Sequence, residues 1–209
     1  FMMQATESAL NVAFNSSLKA YGGDLAVGAM TIAASVMQVL ATLFMGFSQG
    51  ASPIIGYNYG AGQSDRVRKT VRLLVTIGLS IAVAFWLLLE LFPQMFVMVF
   101  NDDPELVDYG VWALRIYGAG IFAMGIQHGC QQSFVALGQA KISLFLAVLR
   151  KLVLLIPLIY ILPNFFADKV FAVFLAEPVS DILAATTTGI LFFTRLPKIL
   201  HRREEELEQ

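Results

Sequence analysis

The chain has 209 residues, of which 57% are hydrophobic and 14% charged, with a formal net charge of −1. Soluble domains carry about 25% charged residues, and here the charges bunch at segment ends, so the long apolar stretches between them have no polar face for water and lipid must cover them. The near-neutral charge, without a basic arm, excludes nucleic acid as a partner, and a single cysteine, Cys130, excludes an internal disulfide or a thiolate metal centre.

Six helical segments follow in order, over 1–20, 25–58, 66–100, 104–137, 141–162 and 168–194. The first opens on Phe1, already inside an apolar helical pattern and without an initiator Met, so the chain reads as part of a longer one. Within it Glu7, Asn11 and Asn15 recur every four residues and share one helix face. Ionisable groups at membrane depth face a bundle interior or a water-filled path. Burial favours the protonated form of a carboxylate and a bound cation the ionised form, and that competition is the physical basis of cation coupling. A network packing the amides and Glu7 against neighbouring helices is the alternative. Gly22-Gly23-Asp24 then makes a turn, because glycine admits backbone angles closed to other residues.

The second segment ends in the glycine-rich run Gly56 to Gly62, and the third begins with Arg66, Arg68, Lys69 and Arg72. Asn101-Asp102-Asp103-Pro104 supplies a cap, with proline suited to the first turn of the fourth segment. That segment carries Gln127, His128, Gln131 and Gln132, while glycines at 118, 120, 125 and 129 thin it for close helix contact. Interhelical hydrogen bonding is the plainer reading of the four polar residues and cavity lining the other. One histidine without a close acidic or histidine set is not a transition-metal site. The fifth segment holds Arg150-Lys151 well inside its apolar run, one facing lipid headgroups and the other a cavity. In the sixth, Glu177 and Asp181 lie four apart around Pro178, which frees a carbonyl one turn back. They suit a cationic solute or ion if they face a cavity, and only cap or hydrate the helix if they sit near the interface. The tail, 201–209, reads as a solvated, charged cytoplasmic extension of a membrane unit spanning 1–200.

A strand reading fails, because the apolar runs are too long and do not alternate. If the chain crosses six times, nine basic residues (Arg66, Arg68, Lys69, Arg72, Lys141, Arg195, Lys198, Arg202, Arg203) fall on one side. The other side holds Asp24, Asp102, Asp103, Glu105, Asp108 and Asp168, with Lys169. Basic residues favour the cytoplasmic side. The expectation is an all-α, six-helix, multi-pass protein of the inner (plasma) membrane with both ends cytoplasmic. No repeat relates its first three helices to its last three. No phosphate loop, nucleophile–base motif or zinc motif appears, so neither an enzyme nor a cofactor is expected.

The run Gly46-Phe-Ser-Gln-Gly50-Ala-Ser-Pro53-Ile-Ile-Gly56-Tyr-Asn58-Tyr-Gly60-Ala-Gly62 with its basic turn resembles the multidrug and toxic compound extrusion (MATE) transporters. So do Asn11 through Ala26, Phe134-Val-Ala-Leu-Gly138-Gln-Ala-Lys141 and Leu175-Ala-Glu177-Pro178-Val-Ser-Asp181-Ile-Leu-Ala, which are similar to stretches of that family's seventh, tenth and twelfth helices. The resemblance implies one lobe of a twelve-helix, two-lobed transporter, helices seven to twelve, with the N-terminal six-helix lobe of the same chain as its partner. It implies antiport of H⁺ or Na⁺ against amphipathic, cationic drugs or toxins, with no other cofactor. Glu7 falls where many members place a seventh-helix carboxylate, so any Na⁺ would bind near it. A partner acid of some members' tenth helix would fall near Ile126 or Gln127, where this chain has none; Gln127 or His128 then stands in, or coupling rests on the other lobe. A lipid or polysaccharide-precursor exporter of related fold and a non-transporting membrane scaffold are the competing functions.

Overall fold

The computed structural model describes the backbone of residues 2–208 and the side chains of residue 6 and residues 8–208. Every described element is helical. α1 (Met2–Gly60) is followed by α2 (Ser64–Leu91), the short α3 (Pro93–Met98), α4 (Pro104–Tyr117) and α5 (Ile121–Ala136). α6 (Ala140–Val148), α7 (Ile156–Ile161) and α8 (Lys169–Glu208) complete the chain.

Five helical stretches are long and apolar enough to cross a membrane. The first of them, Ser8–Gly60, has 53 residues, and at 1.5 Å per residue it would run about 80 Å against about 30 Å of hydrocarbon. Gly23 resolves the excess. Its φ of 67° and ψ of −157° lie where only glycine sits without strain, and the chain folds back there. Leu10, Asn11, Phe14 and Asn15 of the first limb consequently share one cavity with Met30, Ala34 and Gln38 of the second. Two limbs and four further stretches make six crossings, as expected from composition.

The other breaks also have local causes. Proline restricts the residue before it, and Phe92 leaves helical geometry at φ −130°, ψ 46°, so Pro93 starts α3 at its first turn. The third expected segment is therefore two helices. Asp103 caps α4 by accepting from the Glu105 amide at 2.9 Å, and Asp168 accepts from Phe171 N at 3.0 Å at the start of α8. A 3₁₀ turn, Gly118–Gly120, joins α4 to α5. A π-helical stretch, Leu149–Leu155, joins α6 to α7. α8 runs unbroken past residue 200.

Hydroxyls inside a bilayer need partners within the protein, and they find them one turn back. Thr31, Ser35, Thr42, Ser80, Thr186 and Thr187 each donate to the carbonyl four residues earlier. Helices pack closely at the glycines expected to thin the fourth segment, where α5 crosses α2 and the turn before it meets α8. A Cβ on Gly125 would lie 2.7 Å from the Gly78 carbonyl group, and one on Gly120 2.7 Å from Pro178 Cα.

The ends of the bundle can be told apart by contact. At one end Lys169 Nζ lies 5.2 Å over the Tyr21 ring, and Tyr109 and Val170 crowd Gly22. At the other, Arg203 Nη2 donates to Gly60 O at 3.0 Å, and Gln139 shares a pocket with Arg195.

Candidate functional site

Buried apolar residues form two clusters, one towards each end, and on every crossing of the second cluster polar residues fall between them. On α1, Phe44 belongs to the first cluster and Ile55 to the second, with Ser48, Gln49 and Ser52 between. On α2 the gap from Leu74 to Ala82 holds Thr76 and Ser80; on α5 the gap from Met124 to Cys130 holds Gln127 and His128. Arg150 and Lys151 fall between Leu146 and Leu155, and Glu177, Ser180, Asp181 and Thr188 between Ala176 and Phe192. The result is a polar layer at mid-depth.

This layer opens onto two adjoining cavities of about 450 and 500 Å³ that share Ala41, Arg150 and Lys151. The first is lined by Asn11 and Asn15, by Thr31, Ser35 and Gln38 of the returning limb, and by Glu177. The second is lined by Ser48, Gln49, Gln127, His128, Gln131 and Gln132.

At their junction Arg150 holds two acids. Its Nε donates to Asp181 Oδ1 at 2.7 Å and its Nη2 to Glu177 Oε1 at 3.1 Å, with Nη2 also 2.5 Å from Asp181 Oδ1 in an ion pair. The side chains are 12% (Arg150), 13% (Glu177) and 4% (Asp181) exposed. Ser180 Oγ donates to the Arg150 carbonyl at 3.1 Å, tying α8 to the π-helical stretch. A π-helical turn carries extra residues past the regular i→i−4 ladder, and this one turns Arg150 toward α8 and into both cavities. Glu177 Oε2 remains buried without a hydrogen-bond partner on the wall of the first cavity.

The polar cluster of α5 divides by role. Gln132 Nε2 donates to Ser52 Oγ at 2.9 Å and Gln131 Nε2 to Ser143 O at 3.3 Å, joining α5 to α1 and α6. His128 Nδ1 lies 3.0 Å from Met124 O, and its ring stacks on Phe44 at 5.1 Å. Gln127 is 2% exposed, and its Oε1 has no partner. All four line the second cavity, and two of them, Gln131 and Gln132, also bond between helices.

Of the eight residues singled out in the sequence, six line the two cavities, and Asp181 is buried behind them against Arg150. Glu7 lies outside the described side chains. Neither Glu177 nor Asp181 caps or hydrates a helix end, since both are buried mid-helix against Arg150. Arg150 itself was legible only by its depth, and it meets neither headgroups nor an open cavity alone. The signal that names it is complementary: two acids in one apolar run and two cations in another. Thr31, Ser35 and Gln38 were missed, though their spacing of four and three is a helix face.

The family model described as MatE matches residues 1–161. The multidrug export protein MepA of Staphylococcus haemolyticus is 25% identical over 88% of the chain, which spans 40% of that relative. An FAD transporter of Shewanella oneidensis is 24% identical over 76% of the chain, covering 34% of that protein. The structure of the MATE multidrug transporter DinF-BH, solved as a complex, superposes with a TM-score of 0.79 at 33% identity, over 96% of this chain and 44% of that one. The chain thus spans about two-fifths of the length of the relatives it matches.

Proposed function

The chain belongs to the MatE family, and from that premise we propose that residues 1–200 form the second lobe of a two-lobed exporter driven by inward H⁺ or Na⁺, with 201–209 in the cytoplasm. The cargo is amphipathic organic cations, the partner element an N-terminal six-helix lobe, and the setting the plasma membrane with both ends of this chain cytoplasmic. The observation that carries the reading is the polar groove at mid-depth with Arg150, Glu177 and Asp181 at its centre. Alternating access places the site between two elements that move about it, and a groove along one face of a single lobe suits that geometry. The lining supplies uncharged amides and apolar side chains in the main, which accommodate varied amphipathic solutes by partial contacts rather than one fixed set.

Roles follow from position. Asn11, Asn15, Gln127, His128 and Gln131 contact cargo or its water, and Glu7, with Glu177 and Asp181, takes up the coupling cation. MepA is named as a multidrug export protein and DinF-BH as a multidrug transporter, which supports the cargo class. A second reading, export of an anionic amphiphile, is favoured by Arg150 and Lys151 lining both cavities and by the relative named as an FAD transporter.

Sealed vesicles holding the full-length parent decide between them. An imposed H⁺ or Na⁺ gradient, applied separately, should accelerate loss of a fluorescent organic cation, and Glu7→Gln should weaken the response at equal protein abundance. The lack of gradient-dependent flux across a broad panel of organic cations would overturn the leading reading. Flux confined to flavin-type or phosphorylated anions would establish the second.

A further inference from the structure

A different cavity, of about 260 Å³, lies at the Gly60 end of the bundle, lined by Tyr59, Gln139, Arg195, Lys198, Arg202 and Glu206. Arg195, Lys198 and Arg202 recur at spacings of three and four, so α8 presents them on one face. Their charges are not equally spent. Arg202 Nε pairs with Glu206 at 3.1 Å, whereas Arg195 and Lys198 make no ion pair among the described residues, and both are exposed.

The wall of this pocket is built rather than incidental. Arg203 donates to Gly60 O at 3.0 Å, lies 6.0 Å over the Tyr59 ring and pairs with Glu206 at 3.3 Å. Leu207 packs over Gly62. The end of α8 is thereby docked on the turn after α1, and Glu206 is engaged by two arginines. That leaves Arg195 and Lys198 as the uncompensated cations of the pocket, beside the Tyr59 hydroxyl and the Gln139 amide.

On the membrane side of the pocket, one turn from its lining residues, α6 presents the exposed Phe145 and α8 the half-buried Leu191, and Ile142 and Ile199 line the pocket itself. Basic pockets between membrane helices at the interface suit phosphate headgroups, and guanidinium matches phosphate oxygens in a fork geometry. We propose that this pocket binds the phosphate headgroup of an anionic phospholipid, its acyl chains lying along the apolar faces of α6 and α8. The adjoining lipid-facing surface is what distinguishes a lipid from free phosphate, and the inference does not depend on what the parent exports.

The test uses the purified full-length parent, with thermal unfolding followed as phosphatidylglycerol, phosphatidylcholine or inorganic phosphate is added. Phosphatidylglycerol should stabilise saturably and the other two should not. The pair Arg195→Gln with Lys198→Gln should raise the half-saturating phosphatidylglycerol concentration about tenfold or more. The pair Arg66→Gln with Arg68→Gln, exposed at the same end but outside the pocket, should leave it within about threefold. Native mass spectrometry should show one phosphatidylglycerol retained by the wild type and by the second pair, and none by the first. Equal protection by phosphatidylcholine or phosphate, an unchanged response in the first pair, or equal loss in both pairs would each overturn the proposal.

Discussion

Arg150 shows how a charge is kept inside a membrane protein. An isolated arginine at the middle of a membrane helix costs about 2.5–3.5 kcal/mol on insertion scales, and here two carboxylates within hydrogen-bonding distance offset it. Removing one partner from a buried pair leaves an uncompensated charge. Arg150→Met should therefore destabilise the parent by roughly 3–5 kcal/mol, because Glu177 and Asp181 would face each other unshielded. Adding Glu177→Gln and Asp181→Asn should restore most of the loss, since the charges then leave together. Melting of the detergent-purified parent reads both variants, and a triple variant as unstable as the single one would show that the arginine acts through shape rather than charge. Glu177 and Asp181 stood out in the sequence by spacing and depth alone. Their partner did not, because a regular helix through 149–155 gives no reason to turn Arg150 toward α8, and the π-helical turn that does so leaves no residue-type signature.

Single helices carry the next level of design. The six crossings were legible because lipid imposes one length on apolar runs and charges mark their ends, and the glycines of the fourth segment announced a close contact. What stayed hidden was a break decided by a neighbour, the 3₁₀ turn at Gly118–Gly120, where Gly120 meets Pro178; the split at Phe92 had its cause in the next residue, Pro93, which can bend or end a helix. The glycines themselves divide by environment. A Cβ on Gly125 would lie 2.7 Å from the backbone of Gly78 and Leu79, whereas nothing lies within 4 Å of one on Gly46. Gly125→Ala must push α2 from α5 and should cost about 1–3 kcal/mol. Gly46→Ala fills open space in a helix interior and should be neutral or stabilising by up to about 1 kcal/mol. Melting temperatures of the two variants moving together would show that the α2–α5 approach is not tight.

At the scale of the molecule, six crossings require consecutive connections to alternate between two ends, and the contacts meet that requirement. Tyr21, Gly22, Tyr109, Lys169 and Val170 gather at one end, while Gly60, Gln139, Arg195 and Arg203 gather at the other. The basic residues of the first turn of α2, of Lys141 and of the end of α8 all belong to the second group. One side of the membrane should therefore label cysteines placed at Asp24, Asp103 and Ala167, and the other side those at Asp65, Lys141 and His201. All six positions are exposed, and the native Cys130 is buried at 0% exposure, so a membrane-impermeant thiol reagent on intact cells should see only the introduced residues. The excess of Lys and Arg places the Asp65 group inside, so Asp24, Asp103 and Ala167 should react from outside. The two parts of the reading fail separately. Reaction of the opposite set would preserve the six crossings and reverse the orientation, whereas labelling of Asp24 with Asp65 from one side would mean that α1 does not fold back at Gly23, and the groove between its limbs would go with it.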